Sequence, residues 1–400
     1  MKKVHNVCFA YITPFHPERG GIGRVTHSLT LEFQRRGYNV FYLIYPCAIT
    51  IRHEYDYPAP LEYLPSTNCL SQENINYYLE YLTRNKIDVV INQSGNFSDS
   101  ALWLKASELG IKVISVLHST PWISYKHIWY SDIIPLKNDS FIEKLKRIAR
   151  ICLYPKIKKR VHDSRVQHFK QLLPKTDIVC PLSTKFYEEL NEIYPGYPDK
   201  YYAIPNPNSY DESQINLPLK KQKQILFVGL FGSPKNEFEL VKIWRAIYND
   251  YPDWELVMVG DGNRSRVKRL KNLAAGIKNI RFTGFQNPLP YQETASILCV
   301  TSIYEGWSMV LTEAMQCGVV PVVYNSFASA SEIVEDGVNG MLVTPFSRKE
   351  YIEKLRKLIE DDDLRHKMSE SARISIKRYN VEQIANQWEQ LFDKLFVYEA

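Results

Sequence analysis

Two glutamates in the stretch "YEGWSMVLTEAMQCG", residues 304–318, are the residues best suited to chemistry in this chain. Glu305 precedes a Gly and a Trp, and Glu313 lies eight positions later, inside an apolar run that reads as a helix. An ionised carboxylate only accepts hydrogen bonds and can clamp two vicinal hydroxyls, the pattern that a ribose or a pyranose presents. Helix-start signals fall at Ser308, so the backbone N–H groups of Met309, Val310 and Leu311 are expected to point into a site. A helix N-terminus of this kind favours an anion such as a diphosphate. Taken alone, the pair reads more readily as a solvated loop acid and an ordinary helix-surface acid. The flanking Gly306, the following Gly318 and Pro321, and a strand on either side favour a site.

These residues have to be positioned by a scaffold, and the pattern along the chain supplies one. An apolar strand (4–12), the turn-rich "TPFHPERGGIG", a helix over about 22–36 with Val25, Leu29, Leu31 and Phe33 on its apolar face, and the strand "NVFYLIY" follow in order. Strand, loop, helix and strand form the repeat unit of a parallel sheet. The strands "DVVINQ", "KVISVLH" and "DIVCPLS" continue it, with helices around 74–85 and 100–109, and "YYAIPNPN" at 201–208 closes the half. A polar, aperiodic segment at 209–224 reads as a linker. After it the pattern restarts with "ILFVGLF", a helix over 237–248, and the strands "WELVMVG", "IRFTGF", "ILCVTS" and "VVPVVY". The expected architecture is α/β, with two Rossmann-like domains facing across a cleft. An N-terminal domain (1–208) and a C-terminal domain (225–378) are followed by a helix at 379–400 that packs back toward the first domain, with Ile384, Trp388, Leu391 and Phe392 inward.

Bulk properties agree with this scaffold and limit the function. Four hundred residues suit two domains. An apolar fraction of 45% with 24% charged residues is globular. No apolar run reaches the roughly 18 residues of a membrane-spanning helix, and "MKKVHNVCFAYITPF" reads as a first strand rather than a leader. The seven Cys are scattered and lack CxxC spacing, which argues against a disulfide framework or a metal cluster. The net charge of +6 resides in the first 200 residues, with 26 Lys/Arg against 19 Asp/Glu; the remainder has 24 against 25. Between 142 and 175 basic residues (Lys144, Lys146, Arg147, Arg150, Lys156, Lys158, Lys159, Arg160, Arg165, Lys170, Lys175) alternate with apolar ones, including Leu145, Ile148, Ile151, Leu153 and Phe169. This pattern suits an anionic membrane surface. A solvated basic helix pair is the plain alternative, and no nucleic-acid module accompanies it.

Over about 255–345 the sequence "TSIYEGWSMVLTEAMQCGVVPVV...SEIVEDGVNGMLV" resembles the C-terminal part of glycosyltransferase family 4, retaining enzymes of the GT-B fold that use nucleotide-sugar donors. The resemblance is weaker but collinear over the rest of the chain. It implies that Glu305 bonds the hydroxyls of the transferred sugar and that Glu313 takes the ribose hydroxyls. It further implies donor contacts from Gly306, Trp307, Ser308, Met309 and Val310. Gly21 and Gly23, in the loop after the first strand, correspond to a donor–acceptor loop; a dinucleotide site there is disfavoured by the absent GxGxxG and by a second strand ending without an acid. His118 falls where the family carries a His near the transferred sugar. Gly229, Gly260, Asp261 and Phe285 correspond to the nucleotide side of the site.

One departure stands out. Where the family shows an Arg after Val-Gly and a Lys a few residues on, this chain has Leu230 and a shortened approach to Lys235. Lys235 is left as the cation for the departing diphosphate. No metal is expected: Asp361-Asp362-Asp363 fits the Asp-x-Asp form but reads as an interhelical cap, and no His/Cys/Glu cluster has ligand spacing. The resemblance thus implies a cofactor-independent hexosyl transfer, with a UDP-sugar as the expected donor and a glycan or lipid-linked saccharide as acceptor. The expected location is the cytoplasm, at the inner face of the cell membrane. Two rivals are a membrane-associated sugar-nucleotide-binding subunit that has lost turnover, motivated by Leu230, and a nucleotide-sugar epimerase, which the loop at Glu305-Gly306 disfavours.

Overall fold

A computed structural model describes residues 4–17, 20–46, 55–122, 125–127 and 141–397. Cys47, and the side chains of Glu143, Lys144 and Arg147, lie outside the described residues. The chain forms two compact units. Met1–Trp122, His162–Ser209 and Tyr379–Ala400 make the first, and Ile123–Val161 with Tyr210–Arg378 the second.

The first unit is built on a parallel sheet of β1 (Asn6–Tyr11), β2 (Asn39–Ile44), β3 (Leu61–Tyr63), β4 (Val89–Asn92), β5 (Lys112–Leu117) and β6 (Ile178–Pro181). Their order is β3-β2-β1-β4-β5-β6, the doubly wound order of dinucleotide-binding folds. Helices cover both faces of such a sheet, so its strands are apolar throughout rather than alternating. Val7, Phe9, Val89, Ile91, Val113 and Ile114 are fully buried. The second unit repeats the design with β7 (Gln222–Val228), β8 (Glu255–Val259), β9 (Ile280–Gly284), β10 (Ala295–Val300), β11 (Val320–Tyr324) and β12 (Met341–Val343), in the order β12-β11-β10-β7-β8-β9. In each sheet the winding direction reverses beside the first strand. Ligands of this architecture bind at that point, beyond the strand C-termini.

The helix Gly21–Arg35 follows β1 and ends at Gly37, whose φ of 90° suits a glycine after a helix terminus. The helix Val381–Val397 packs on it within the first unit. Phe33 meets Trp388 and Phe392 at centroid distances of 6.4 and 5.8 Å, and Arg36 donates to Glu389 at 2.5 Å.

Several sequence-based expectations are corrected. Leu31 is 50% exposed rather than part of the apolar face. Segment 201–208 is not a strand: it makes one isolated bridge, Val179 to Tyr201, and Pro205 and Pro207 have no N–H to extend a ladder. The edge strands β3 and β12 were not expected, being only three residues long. Arg165 and Phe169 do not belong to an exposed basic face, since both are buried. Arg165 donates through Nε to the Pro121 carbonyl and through Nη1 to that of Asn96, both at 2.8 Å, and its guanidinium lies 5.1 Å from the Phe169 ring centre. It ties together the loops that follow β4 and β5.

Candidate active site

The second unit collects most of the chemistry-bearing residues at its strand ends. The loop after β7 and the turn after β8 press together. The Gly229 N–H donates to the Val259 carbonyl at 3.0 Å and that of Phe231 to the Asp261 carbonyl at 2.7 Å. A Cβ on Gly260 would stand 1.9 Å from the Gly229 oxygen, and its φ of 144° is one that side-chain-bearing residues avoid. Gly229 in turn leaves room for Lys235, whose aliphatic stem passes 3.5 Å from where a Cβ would stand.

Lys235 ends the short turn Ser233–Lys235. Beyond the end of β10, Thr301 donates its hydroxyl to the carbonyls of Lys235 and Asn236, each at 3.1 Å, and the Ile303 N–H reaches the Pro234 carbonyl at 2.7 Å. The backbone of the lysine loop is therefore fastened to the segment that carries Glu305. The side chains meet directly: Lys235 Nζ lies 3.0 Å from Glu305 Oε1. The buried Ser302 hydroxyl donates to the same oxygen. Ser302 is held by Ser326, whose hydroxyl donates to the Ser302 carbonyl at 2.6 Å. Glu305 is 9% exposed and Lys235 26%. The result is a nearly buried carboxylate beside a reachable cation.

Gly306, Trp307 and Ser308 are buried and lead into the helix Met309–Gln316. Ser308 is its N-cap residue, yet its buried hydroxyl caps nothing and has no partner. This departs from ordinary capping, where the hydroxyl takes a first-turn N–H. The expectation of three inward amides is also corrected. The N–H of Met309 bonds the Trp307 carbonyl and that of Leu311 the Ser308 carbonyl, leaving the Val310 N–H. Glu313 is 1% exposed on the same helix. Asp261 serves its own turn, accepting from the Gly262 N–H at 2.8 Å. Phe285, just past β9, is 74% exposed, and Leu230 is 72% exposed on the lysine loop.

Gly21, Gly23 and His118 lie in the first unit. Gly20, with φ 118°, precedes the helix that Gly21 opens, and a Cβ on Gly23 would stand 2.4 Å from the His16 oxygen. His118 follows β5 and bonds Gln93, which follows β4. Burial lowers the His118 pKa to about 3, so the imidazole is neutral. Asp361 caps the helix Asp362–Ser375, accepting from the Leu364 N–H at 2.8 Å. Among the described residues no group of three or more His, Cys, Asp or Glu is arranged to hold a metal ion.

Sequence reasoning missed Gln93, Thr301, Ser302 and Ser326. Each is an uncharged polar residue at or beyond a strand end, and this placement after an apolar run is the signal that could have drawn attention to them.

Comparison with known proteins matches residues 19–209 to the model of Glycosyltransferase Family 4 and residues 209–375 to that of Glycosyl transferases group 1. The chain belongs to glycosyltransferase family 4. Among relatives of this family 4 chain, an uncharacterized glycosyltransferase of Haemophilus influenzae is 33% identical over 190 residues. That match covers 46% of the chain and 53% of the relative, so the chain spans about half of that relative's length. A Campylobacter jejuni enzyme is 27% identical over 262 residues, covering 63% of the chain and 71% of the relative. It is named N-acetylgalactosamine-N,N'-diacetylbacillosaminyl-diphospho-undecaprenol 4-alpha-N-acetylgalactosaminyltransferase. The fold matches sucrose-phosphate synthase from Thermosynechococcus elongatus with a TM-score of 0.74 at 16% identity, covering 98% and 99% of the two chains. Anabaena HepE, solved in complex with UDP, gives 0.73 at 17% identity over 97% and 100%. These likenesses fit the GT-B arrangement of two Rossmann-like domains. The family 4 chain has no described helix long and apolar enough to cross a membrane.

Proposed function

We propose that this glycosyltransferase moves a hexose-type sugar from a nucleoside diphosphate, with UDP as the first candidate, to a glycan or lipid-linked saccharide. The observation that carries this reading is the Lys235–Glu305–Ser302 cluster, set beside the partnerless Ser308 hydroxyl at the head of the helix bearing Glu313. Lys235 is the cation for the departing diphosphate, joined by the Ser308 hydroxyl and the Val310 N–H. Stabilising charge as it develops on a leaving group is commonly the largest part of a rate enhancement. Glu305 exchanges its bond with Lys235 for the hydroxyls of the transferred sugar, and Glu313 accepts from the ribose. The diphosphate oxygen itself can accept the proton of the incoming hydroxyl, so no protein base is required. Attack on the face the diphosphate leaves retains the anomeric configuration.

The diphospho-undecaprenol named for the Campylobacter relative supports a lipid-linked acceptor and a place in surface polysaccharide or glycoconjugate assembly. Contact with the inner face of the cell membrane belongs to the same reading. In the helix Phe141–Cys152 and just beyond it, Leu145, Ile148, Ile151 and Leu153 are 38–54% exposed, beside exposed Lys146 and Arg150. Apolar side chains among basic ones suit an anionic interface. The transfer reaction is metal-independent in this proposal.

The test is a screen of nucleotide sugars that measures nucleoside diphosphate release, with membrane lipid extract as acceptor, on the wild-type protein and Glu305→Ala. Acceptor-dependent release in the wild type and its loss in the variant are expected. Full transfer by Glu305→Ala overturns the assignment. Leu230 favours a second reading, a binding subunit without turnover, since an apolar and 72% exposed side chain stands where the family has a cation. Tight UDP binding with neither hydrolysis nor transfer for any donor would establish it.

A further inference from the structure

His118 reaches Gln93 through Nε2, and Gln93 reaches back to the helix after β1, where its Nε2 donates to Thr26 Oγ1 at 3.2 Å. With the Gln93 amide donating to Thr26, its carbonyl oxygen faces the imidazole and must accept, so His118 Nε2 carries the proton. Gln93 is itself 2% exposed and fixed by its neighbours. Its N–H donates to the Ala10 carbonyl at 2.9 Å, and the next residues are locked by bonds from Ser94 N–H to Asn92 Oδ1 and from Gly95 N–H to the Val116 carbonyl. His118 is part-exposed, and among the described residues no protein donor reaches its Nδ1. The tautomer of a histidine follows from the bond its other nitrogen makes.

We propose that Gln93 is a positioning residue that holds His118 as the Nε2–H tautomer, so that Nδ1 accepts a hydrogen bond from a sugar hydroxyl of the substrate. This rests on the reading of the chain as a sugar transferase, and assigns His118 the part of a neutral acceptor rather than of an acid or a cation.

Most charged and titratable groups of the surrounding elements are otherwise engaged: Glu189 and Glu192 accept from the Thr120 hydroxyl and the Trp122 indole beside His118, while Asp99, in the loop after Gln93, is a carboxyl whose pKa burial raises. Arg165 and His168, on the helix Tyr154–Leu172, donate to the carbonyls of Asn96, Pro121 and Gly95. On the helix after β1, Glu32 pairs with Arg35 and Arg36, Arg24 bonds the Pro17 carbonyl, and His27 meets the Tyr55 hydroxyl. Burial alone lowers the His118 pKa. A carboxylate in place of the Gln93 amide would still accept from Nε2–H but would also stabilise the imidazolium, turning Nδ1 into a donor.

The experiment compares the wild-type chain with Gln93→Glu and Gln93→Leu. Imidazole ¹⁵N NMR should show a bare Nδ1 and a protonated Nε2 in the wild type. Transfer by Gln93→Glu should fall as pH drops through the raised His118 pKa and recover at high pH, where the wild type stays flat. Gln93→Leu should lose about 10-fold or more in kcat, the scale on which losing an orienting partner lowers the activity of metal-bound histidines. UDP titration should give the same affinity in all three. An Nδ1–H tautomer in the wild type, or a Gln93→Glu pH profile that superimposes on it, overturns the proposal. If no donor sugar is turned over, the transferase reading fails, while the NMR result still decides the tautomer and the role of Gln93.

Discussion

Replacing Lys235 with Met should separate catalysis from stability in a way that tests the diphosphate assignment. Lys235 is the sole cation in the loop 229–236, because Leu230 offers none. Its Nζ lies 3.0 Å from Glu305 Oε1. A diphosphate oxygen taking up a similar separation would gain about 5 kcal/mol from one charge at an effective dielectric constant near 20. Solvent reaches the lysine, which is 26% exposed, so the net loss should be nearer the about 3–4 kcal/mol typical of a lost transition-state donor. That is about 10²–10³ in kcat, with a smaller change in donor KM. The variant also strands the Glu305 carboxylate, 9% exposed, with Ser302 as its remaining bond in the cluster. A cost of about 1–3 kcal/mol in stability follows, the scale of leaving a buried polar group poorly paired. Lys235→Met/Glu305→Gln should regain that stability, because the uncharged amide no longer requires a cation, but none of the rate. Diphosphate release under saturating donor, together with thermal melts, reads both quantities. A kcat for Lys235→Met within threefold of wild type, or recovery of activity in the double variant, would refute the assignment.

Gly260→Ala should lower stability by about 2 kcal/mol or more, read as a depressed Tm. Its Cβ would stand 1.9 Å from the Gly229 oxygen at a φ of 144°, combining overpacking with backbone strain. Leu145→Glu/Ile148→Glu should abolish sedimentation with vesicles rich in anionic lipid without changing donor hydrolysis, and Lys146→Gln should weaken binding by about 1 kcal/mol; unchanged sedimentation would remove this helix from membrane contact. Acidification should destabilise the first unit. His168 and His118 have folded-state pKa values of about 4 and about 3, held below the ordinary 6.5 by burial. The unfolded chain therefore binds protons first. Stability from these groups is complete above pH 6.5 and falls, by about 1.4 kcal/mol per pH unit for each, as pH drops toward 4. Urea titrations across this range should show a shallower decline for His168→Gln, and an unchanged slope would show that His168 does not contribute.

The alternation of apolar runs with helical periodicity made both sheets legible, because strands buried on two faces leave a continuous apolar signal. What was misread lay where that signal is weak or carries a second meaning. The strands β3 and β12 are too short for periodicity to register. Leu31 suits the apolar face by residue type, but it is two positions from both Leu29 and Phe33, about 200° around the helix, so it points to solvent while they are buried. Arg165 looked like one more member of a basic run, yet its guanidinium is spent on two loop carbonyls far away in sequence. At the site, Glu305 and Glu313 could be picked out by residue type and local context, and Lys235 through the resemblance to the family pattern. Ser302, Thr301 and Gln93 could not, because their value comes from which strand end lies beside which, and this is set by the sheet order.

That dependence on sheet order bears on Leu230. Residue 230 lies on the same loop as Lys235 and is exposed, and the backbone bonds of Thr301 and Ile303 that fix the lysine go to Pro234, Lys235 and Asn236 rather than to it. Lys235 is anchored without it, and so is Glu305, through Ser302 and Ser326. The departure from the family pattern thus removes a charge without loosening the frame. Leu230→Arg should raise kcat for donor turnover by up to about tenfold, as a second cation adds to a site already in position, while leaving Tm unchanged. Were the chain a binding subunit that lacks turnover for want of that charge, the wild type would release no diphosphate from any donor, so rate measurements on wild type and variant together distinguish an enzyme with one cation from a protein that does not turn over.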